Sequence, residues 1–168
     1  QQLDTISKRP EPTIRTPSPT PVLINRVQRE EITPPEPEVK DDKAAADELG
    51  VEVNALHARA EEAAVKPELR EKYDFAVARA VAAMNLLSEY CLGFVKVGGK
   101  FIAMKGPSAE EELKSAQNAI KIMGGKSKGT TSLTLSDGSE RCILTIEKIA
   151  HTPTGYPRVS AKIAKKPL

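Results

Sequence analysis

Two hydrophobic periods run along this chain, one of about two residues and one of three to four, and together they predict its elements. In "VEVNALHA", Val51, Val53 and Ala55 alternate with polar or small neighbours, which predicts a strand. Pro67 then starts a single helical turn. "YDFAVAR", Tyr73 to Arg79, is a short continuous apolar run, which predicts a strand covered on both faces. Met84, Leu87, Cys91 and Phe94 follow as a helical stripe, "VGG" at Val97 to Gly99 closes the connection, and "KFIAMK" opens a third buried strand. The strongest helical pattern is "PSAEEELKSAQNAIKIMGG". There Ser108 and Glu111 fit a capping box, Leu113, Ala116, Ile120 and Met123 form the stripe, and Gly124 closes the helix. Finally "TTSLTL" and "ERCILTIEK" flank "SDGS", where Asp137-Gly138 predicts a hairpin. Upstream, Asp41 or Asp42 caps a short Ala-rich helix that stops at Gly50.

This order predicts a mainly parallel, three-layer α/β sheet whose last strands turn back. Such sheets bind ligands beyond the carboxyl ends of their strands, where Arg79 and Lys105 both fall. Arg79 is the one charge in "FAVARAVAAMN", and a buried guanidinium without a partner is too costly, so a carboxylate or a ligand is expected beside it.

Composition divides the chain into residues 1–40, 41–150 and 151–168. Eight of the 13 prolines lie in residues 1–40, which hold no aromatic residue and no sustained period, so a disordered arm is expected there. No apolar block resembles a signal peptide or a membrane span, and Gln1 stands where an initiator Met would, so the chain reads as soluble and as a fragment. The net charge of +2 hides an uneven distribution, because residues 41–95 carry six basic against eleven acidic side chains and residues 96–168 carry thirteen against six. Any polyanion partner therefore faces the second half. Cys91 and Cys142 stand in apolar surroundings without a CxxC and predict buried free thiols in a reducing compartment. His57 and His151 stand alone, without metal-ligand spacing. "GGKS" at Gly124 to Ser127 ends a helix instead of following a strand, and Ile120 occupies the place of a phosphate loop's first glycine.

The words "HARAEE", "YDFAVARAVA", "LLSEYCL", "VKVGGKFIAMKG", "AEEELKSAQNAIKIMGGK" and "TPTGYPR…KKPL" resemble, in this order, the small-subunit ribosomal RNA methyltransferase G family, from about Lys43 to Leu168. The resemblance implies an incomplete class I S-adenosylmethionine-dependent methyltransferase fold (Rossmann-like) and methylation of guanine N7 in the RNA of the small ribosomal subunit. It places cofactor contacts at Ala60, Glu61 and Arg79, and RNA contacts at Lys105, Arg158, Lys165 and Lys166. The alternative for Glu61 is a solvated acid favoured by a helix start, and for Arg79 a structural partner to such a carboxylate. Lys148 and Lys162 extend the basic ending, since no acidic residue follows Glu147. A frayed, solvated terminus is the plainer reading of Lys162 to Lys166.

The chain departs from the family in three places. Gly93 stands where the family often has proline, and Ala161, Lys162 and Ile163 replace a Gly-Thr-Pro turn. More seriously, residues 1–50 contain a single glycine, Gly50, so the family's first strand and glycine-rich turn, and the acidic residue of its second strand, have no counterpart. An unpaired strand edge, exposed apolar surface and no methyl transfer by this chain alone are expected. The competing readings are a non-catalytic RNA-binding remnant and, more weakly, half of a dinucleotide oxidoreductase, for which no GxGxxG exists. The reading adopted is of a bacterial cytoplasmic enzyme, monomeric when complete, without metal or membrane.

Overall fold

The computed structural model describes residues 44–79 and 82–168. The expectations for the arm at 1–40, for a cap at Asp41 or Asp42 and for residues 80–81 lie outside the described residues. A helical stretch over 44–49 ends where Gly50 turns left-handed (φ 64) and its N–H reaches Asp47 O at 3.2 Å. After it come α1 (Ala60–Ala63), β1 (Tyr73–Arg79), α2 (Met84–Leu92) and β2 (Val95–Lys105). Next are α3 (Ala109–Ser115), α4 (Gln117–Ile122), β3 (Gly125–Thr134), β4 (Glu140–Lys148) and α5 (Ser160–Lys165).

The sheet runs β1-β2-β4-β3. β1 and β2 are parallel, with Phe75 opposite Lys100 and Arg79 opposite Met104, and β4 lies antiparallel between β2 and β3. The predicted hairpin is present: Gly138 is left-handed (φ 81), and Asp137 Oδ1 accepts from the Ser139 N–H at 2.8 Å. Phe101, Leu144 and Ile146 on one sheet face pack into a single core with Met84, Leu87 and Leu92 of α2 and with Ile120 and Met123 beside α4. Each is nearly or fully buried, which is worth roughly 1.5–3 kcal/mol per large apolar side chain. The tail joins this core, because Ile163 of α5 is completely buried.

Four local expectations need correction. β1 is not covered on both faces: Ala76 and Ala78 are buried, whereas Phe75 and Val77 are 57% and 44% exposed. The strand-periodic run at Val51 forms no strand, since a ladder needs a neighbour and the described residues supply none beside it. The long helix is broken at Ala116 into α3 and α4, and the capping box is not formed. Ser108 is near-helical (φ −77, ψ 9) instead of extended as a capping residue is, and its side chain makes no cap hydrogen bond.

The three-layer arrangement is present only in part. Among the described residues the helices cover one face of the sheet, the face of Phe101 and Leu144. The opposite face presents Phe75, Val77, Met104 and half-buried Ile102 and Ile143.

Candidate functional site

The parallel pair ends with Arg79 and Lys105 at one edge of the sheet, as the sequence predicts, but the pleat sends them to opposite faces. Arg79 is in register with Met104 on the open face and is exposed, so its guanidinium is not the buried charge expected. No ion pair joins Arg79 to Glu61 among the described residues. Glu61, only 7% exposed at the start of α1, instead lies 3.8 Å from Arg59 Nη1. Ala60 is buried beside it.

Lys105 turns under the sheet. Its Nζ donates to Ala82 O and, at 2.7 Å, to Glu112 Oε2, which also accepts the Met84 N–H at 3.1 Å. The Lys105–Glu112 pair therefore ties the start of α3 to the segment that leads from β1 into α2. With its side chain 8% exposed, Lys105 is engaged within the fold and is not a free cation.

Arg158 is likewise engaged within the fold. Its backbone N and Nε both donate to Glu89 Oε1 at 2.8 Å, and Nη2 donates to Glu89 Oε2 at 2.7 Å. Its Nη1 donates to Lys166 O at 3.0 Å, which fastens the far end of α5. Lys162 and Lys165 on the short helix so held, and Lys166 at its C-cap, are exposed. Those three are the cations that the tail turns outward.

Sequence reasoning placed Lys148 among them, yet it is fully buried. Its Nζ donates to Leu92 O at 2.6 Å and to Thr152 Oγ1, and lies 3.1 Å from Glu71 Oε1. The signal was present: Lys148 shares the strand parity of Cys142, Leu144 and Ile146, the inward face of β4. Glu71 itself carried no such signal. It also accepts the Thr152 N–H and pairs with His151, both at 2.7 Å, while neighbouring Arg70 donates to Tyr156 O at 2.7 Å and Thr152 O at 2.8 Å. Together Arg70 and Glu71 clamp the 151–158 loop to the entrance of β1.

Burial alone would raise the Glu71 carboxyl, but the hydrogen bonds from Thr152, His151 and Lys148 outweigh it and hold the group at about 2, against 4.5 ordinarily. A carboxyl depressed in the folded state stabilises the fold above its unfolded value and loses that contribution as acid protonates it. Acid titration of the far-ultraviolet circular dichroism should therefore show about 2–3 kcal/mol of stability lost between pH 4.5 and about 2, discounted for partial exposure. Glu71→Gln should flatten that limb.

Cys91 and Cys142 are both buried and free, and burial pushes the Cys91 thiol up to about 12, so it is a packing residue and not a nucleophile. Among the described residues no cluster of histidine, cysteine, aspartate and glutamate could hold a metal ion, and no helix is long and apolar enough to cross a membrane.

A parallel strand pair continued by an antiparallel hairpin, with charged residues at the strands' carboxyl ends, defines a Rossmann-like α/β fold of the class I methyltransferase type, present here in part. Residues 43–141 match the family model of the rRNA small subunit methyltransferase G, and the chain belongs to that family. It is 51% identical over 128 residues to the ribosomal RNA small subunit methyltransferase G of Alkaliphilus metalliredigens, covering 75% of this chain and 54% of that protein. To the protein of the same description from Brevibacillus brevis it is 52% identical over 125 residues, covering 73% and 52%. The chain thus spans about half the length of the curated relatives it matches. Solved structures align more loosely: a geranyl diphosphate methyltransferase in complex with SAM superposes with a TM-score of 0.46 at 11% identity, over 68% of this chain and 66% of that one.

The described residues do not fit S-adenosylmethionine by themselves. They include no glycine-rich turn between a strand and a helix, and no buried side-chain polar atom is left without a hydrogen-bond partner.

Proposed function

We propose that this chain is the strand-end half of an S-adenosylmethionine-dependent enzyme that methylates guanine N7 in the RNA of the small ribosomal subunit. The observation that carries the reading is the family match over residues 43–141. When bound, S-adenosylmethionine supplies an electrophilic methyl group on a sulfonium. Guanine N7 has a lone pair and no proton, so transfer requires alignment more than a general base. N7 faces the narrow major groove of A-form RNA, so the target base must be splayed from its helix.

Within this reading Ala60, Glu61 and Arg79 border the cofactor's adenine end. Lys165 and Lys166 meet phosphates together with Lys162, and α5 with its C-cap presents all three. Lys105 and Arg158 serve the RNA indirectly, by holding the segment before α2 and the tail helix in place. The free buried thiols support a reducing cytoplasm. A second reading, RNA binding without transfer, is favoured by the same exposed lysines.

The test joins the part of the Alkaliphilus relative outside the match to this chain and supplies tritiated S-adenosylmethionine and unmethylated small subunits. Label on the RNA, with strand scission after borohydride and aniline at one guanine, is expected. Label elsewhere overturns the N7 assignment, and no label overturns the enzyme reading. This chain alone should give no counts above a heat-killed control.

A further inference from the structure

We propose that Asp137-Gly138, at the tip of the β3–β4 hairpin, is a site of spontaneous aspartate isomerisation, and that Ser139 is the residue that restrains it. The reaction needs nothing from the cofactor or the RNA. The amide nitrogen of Gly138 gives up its proton and bonds to Asp137 Cγ, while the bond from Cγ to one oxygen of the carboxylic acid breaks. That oxygen leaves as water, carrying the amide proton and the acid's own. The five-membered succinimide so formed takes water back at either carbonyl. Addition at the main-chain carbonyl leaves the chain running through the Asp137 side chain, as an isoaspartyl link.

Asp137 is the one aspartate or asparagine in the sequence that glycine follows. A Cβ on the following residue would crowd the attacking nitrogen, and glycine has none. Asp137 and Gly138 are both exposed, and a methyl added to Gly138 would meet nothing within 4 Å, so no packed neighbour shields the link from that side.

The fold opposes the chemistry at both reacting groups. The Gly138 N–H donates to Leu135 O at 2.9 Å, and the Leu135 N–H donates to Ser139 O at 2.9 Å, so the nitrogen must leave a closed turn to reach Cγ. Ser139 donates twice to Asp137 Oδ1, from its N–H at 2.8 Å and from Oγ at 2.6 Å. Those bonds, the hydroxyl's foremost, hold the carboxyl below the usual carboxylate range and so in its ionised form, from which no oxygen departs as water. One half-buried serine thus fixes the side chain and keeps it unreactive. An isoaspartyl link would add one atom to the main chain of a turn closed between Leu135 and Ser139, and would displace the pairing of Thr134 with Glu140 that follows.

The test keeps the whole chain at neutral pH, folded or in urea, and follows the tryptic peptide of residues 129–141 with a protease that cleaves before aspartate and not before isoaspartate. Isoaspartate at position 137 should accumulate roughly tenfold faster in urea, because reaction from the folded state waits for the turn to open. Asp74, which precedes Phe75, should stay intact in both. Folded Ser139→Ala should isomerise several-fold faster than the unmutated chain with its circular dichroism unchanged, and Ser139→Thr, which restores the hydroxyl, should return to the original rate. In urea all three should react alike. Absence of isoaspartate in urea overturns the site. Equal rates folded and unfolded, or a folded Ser139→Ala no faster than the unmutated chain, overturn the restraint. A difference between the variants in urea would assign the effect to local sequence and overturn the restraint as well.

Discussion

Glu89→Ala should lower the unfolding free energy by about 3–5 kcal/mol, read from urea denaturation, the cost of breaking a buried ion pair from one side. Glu89 has no exposed surface, and its two oxygens take three hydrogen bonds from Arg158 and no solvent. Removing the carboxylate leaves a guanidinium only 18% exposed with one remaining bond, to Lys166 O. Arg158→Met should cost a similar amount from the other side, because it leaves the fully buried carboxylate without its counter-charge and with only the backbone N–H of residue 158. The pair also joins residues 69 positions apart, so its loss frees the tail, and Ile163 loses its seat against the core. A double replacement, Glu89→Leu with Arg158→Met, should recover most of the loss, since burying two charges consumes much of what their attraction returns. If Arg158 instead spent its charge on phosphate, Arg158→Met would weaken RNA binding while leaving the urea midpoint in place.

Local pattern made the covered half of the fold legible. Asp137-Gly138 marks its hairpin, Gly124 ends its helix, and the stripe of Leu113, Ala116, Ile120 and Met123 marks the α3–α4 region without showing the break at Ala116. Pattern misled where it depended on a neighbour. Val51, Val53 and Ala55 alternate correctly, but alternation specifies a face and not a partner strand. The continuous run at Tyr73 implied two covers, and one is absent from the described residues. The site was legible in position and not in engagement. Arg79 and Lys105 do lie at strand ends, but the spent charges of Lys105 and Arg158 depend on Glu112 and Glu89, helix residues that no spacing rule connects to them. Lys148 was misread because it was grouped by charge with the tail when its parity on β4 pointed inward.

Gly124→Ala should be the most damaging single methyl in the chain, about 3–5 kcal/mol by urea denaturation, beyond the ordinary range for a point change. Two costs coincide at this position. The backbone is left-handed (φ 78), which charges an L residue about 1–2 kcal/mol. In addition, a Cβ there would lie 2.2 Å from Ala150 O and 2.8 Å from Ala150 C, main-chain atoms that no rotamer change can move aside. The same Ala150 is held in place, because its N–H donates to Gly124 O at 3.0 Å and that of Ile149 does so at 2.8 Å. Relief would have to push the 149–152 segment outward, and with it Thr152, whose hydroxyl and N–H serve Lys148 and Glu71. Gly138→Ala separates the two costs. Gly138 is equally left-handed (φ 81), but its added methyl would meet nothing within 4 Å, so only the backbone penalty of about 1–2 kcal/mol should appear. Equal losses at the two positions would show that Ala150 yields to the added methyl. A larger loss at Gly124, accompanied by a shallower acid limb as Glu71 loses Thr152, would show that the clash travels into the buried charge cluster.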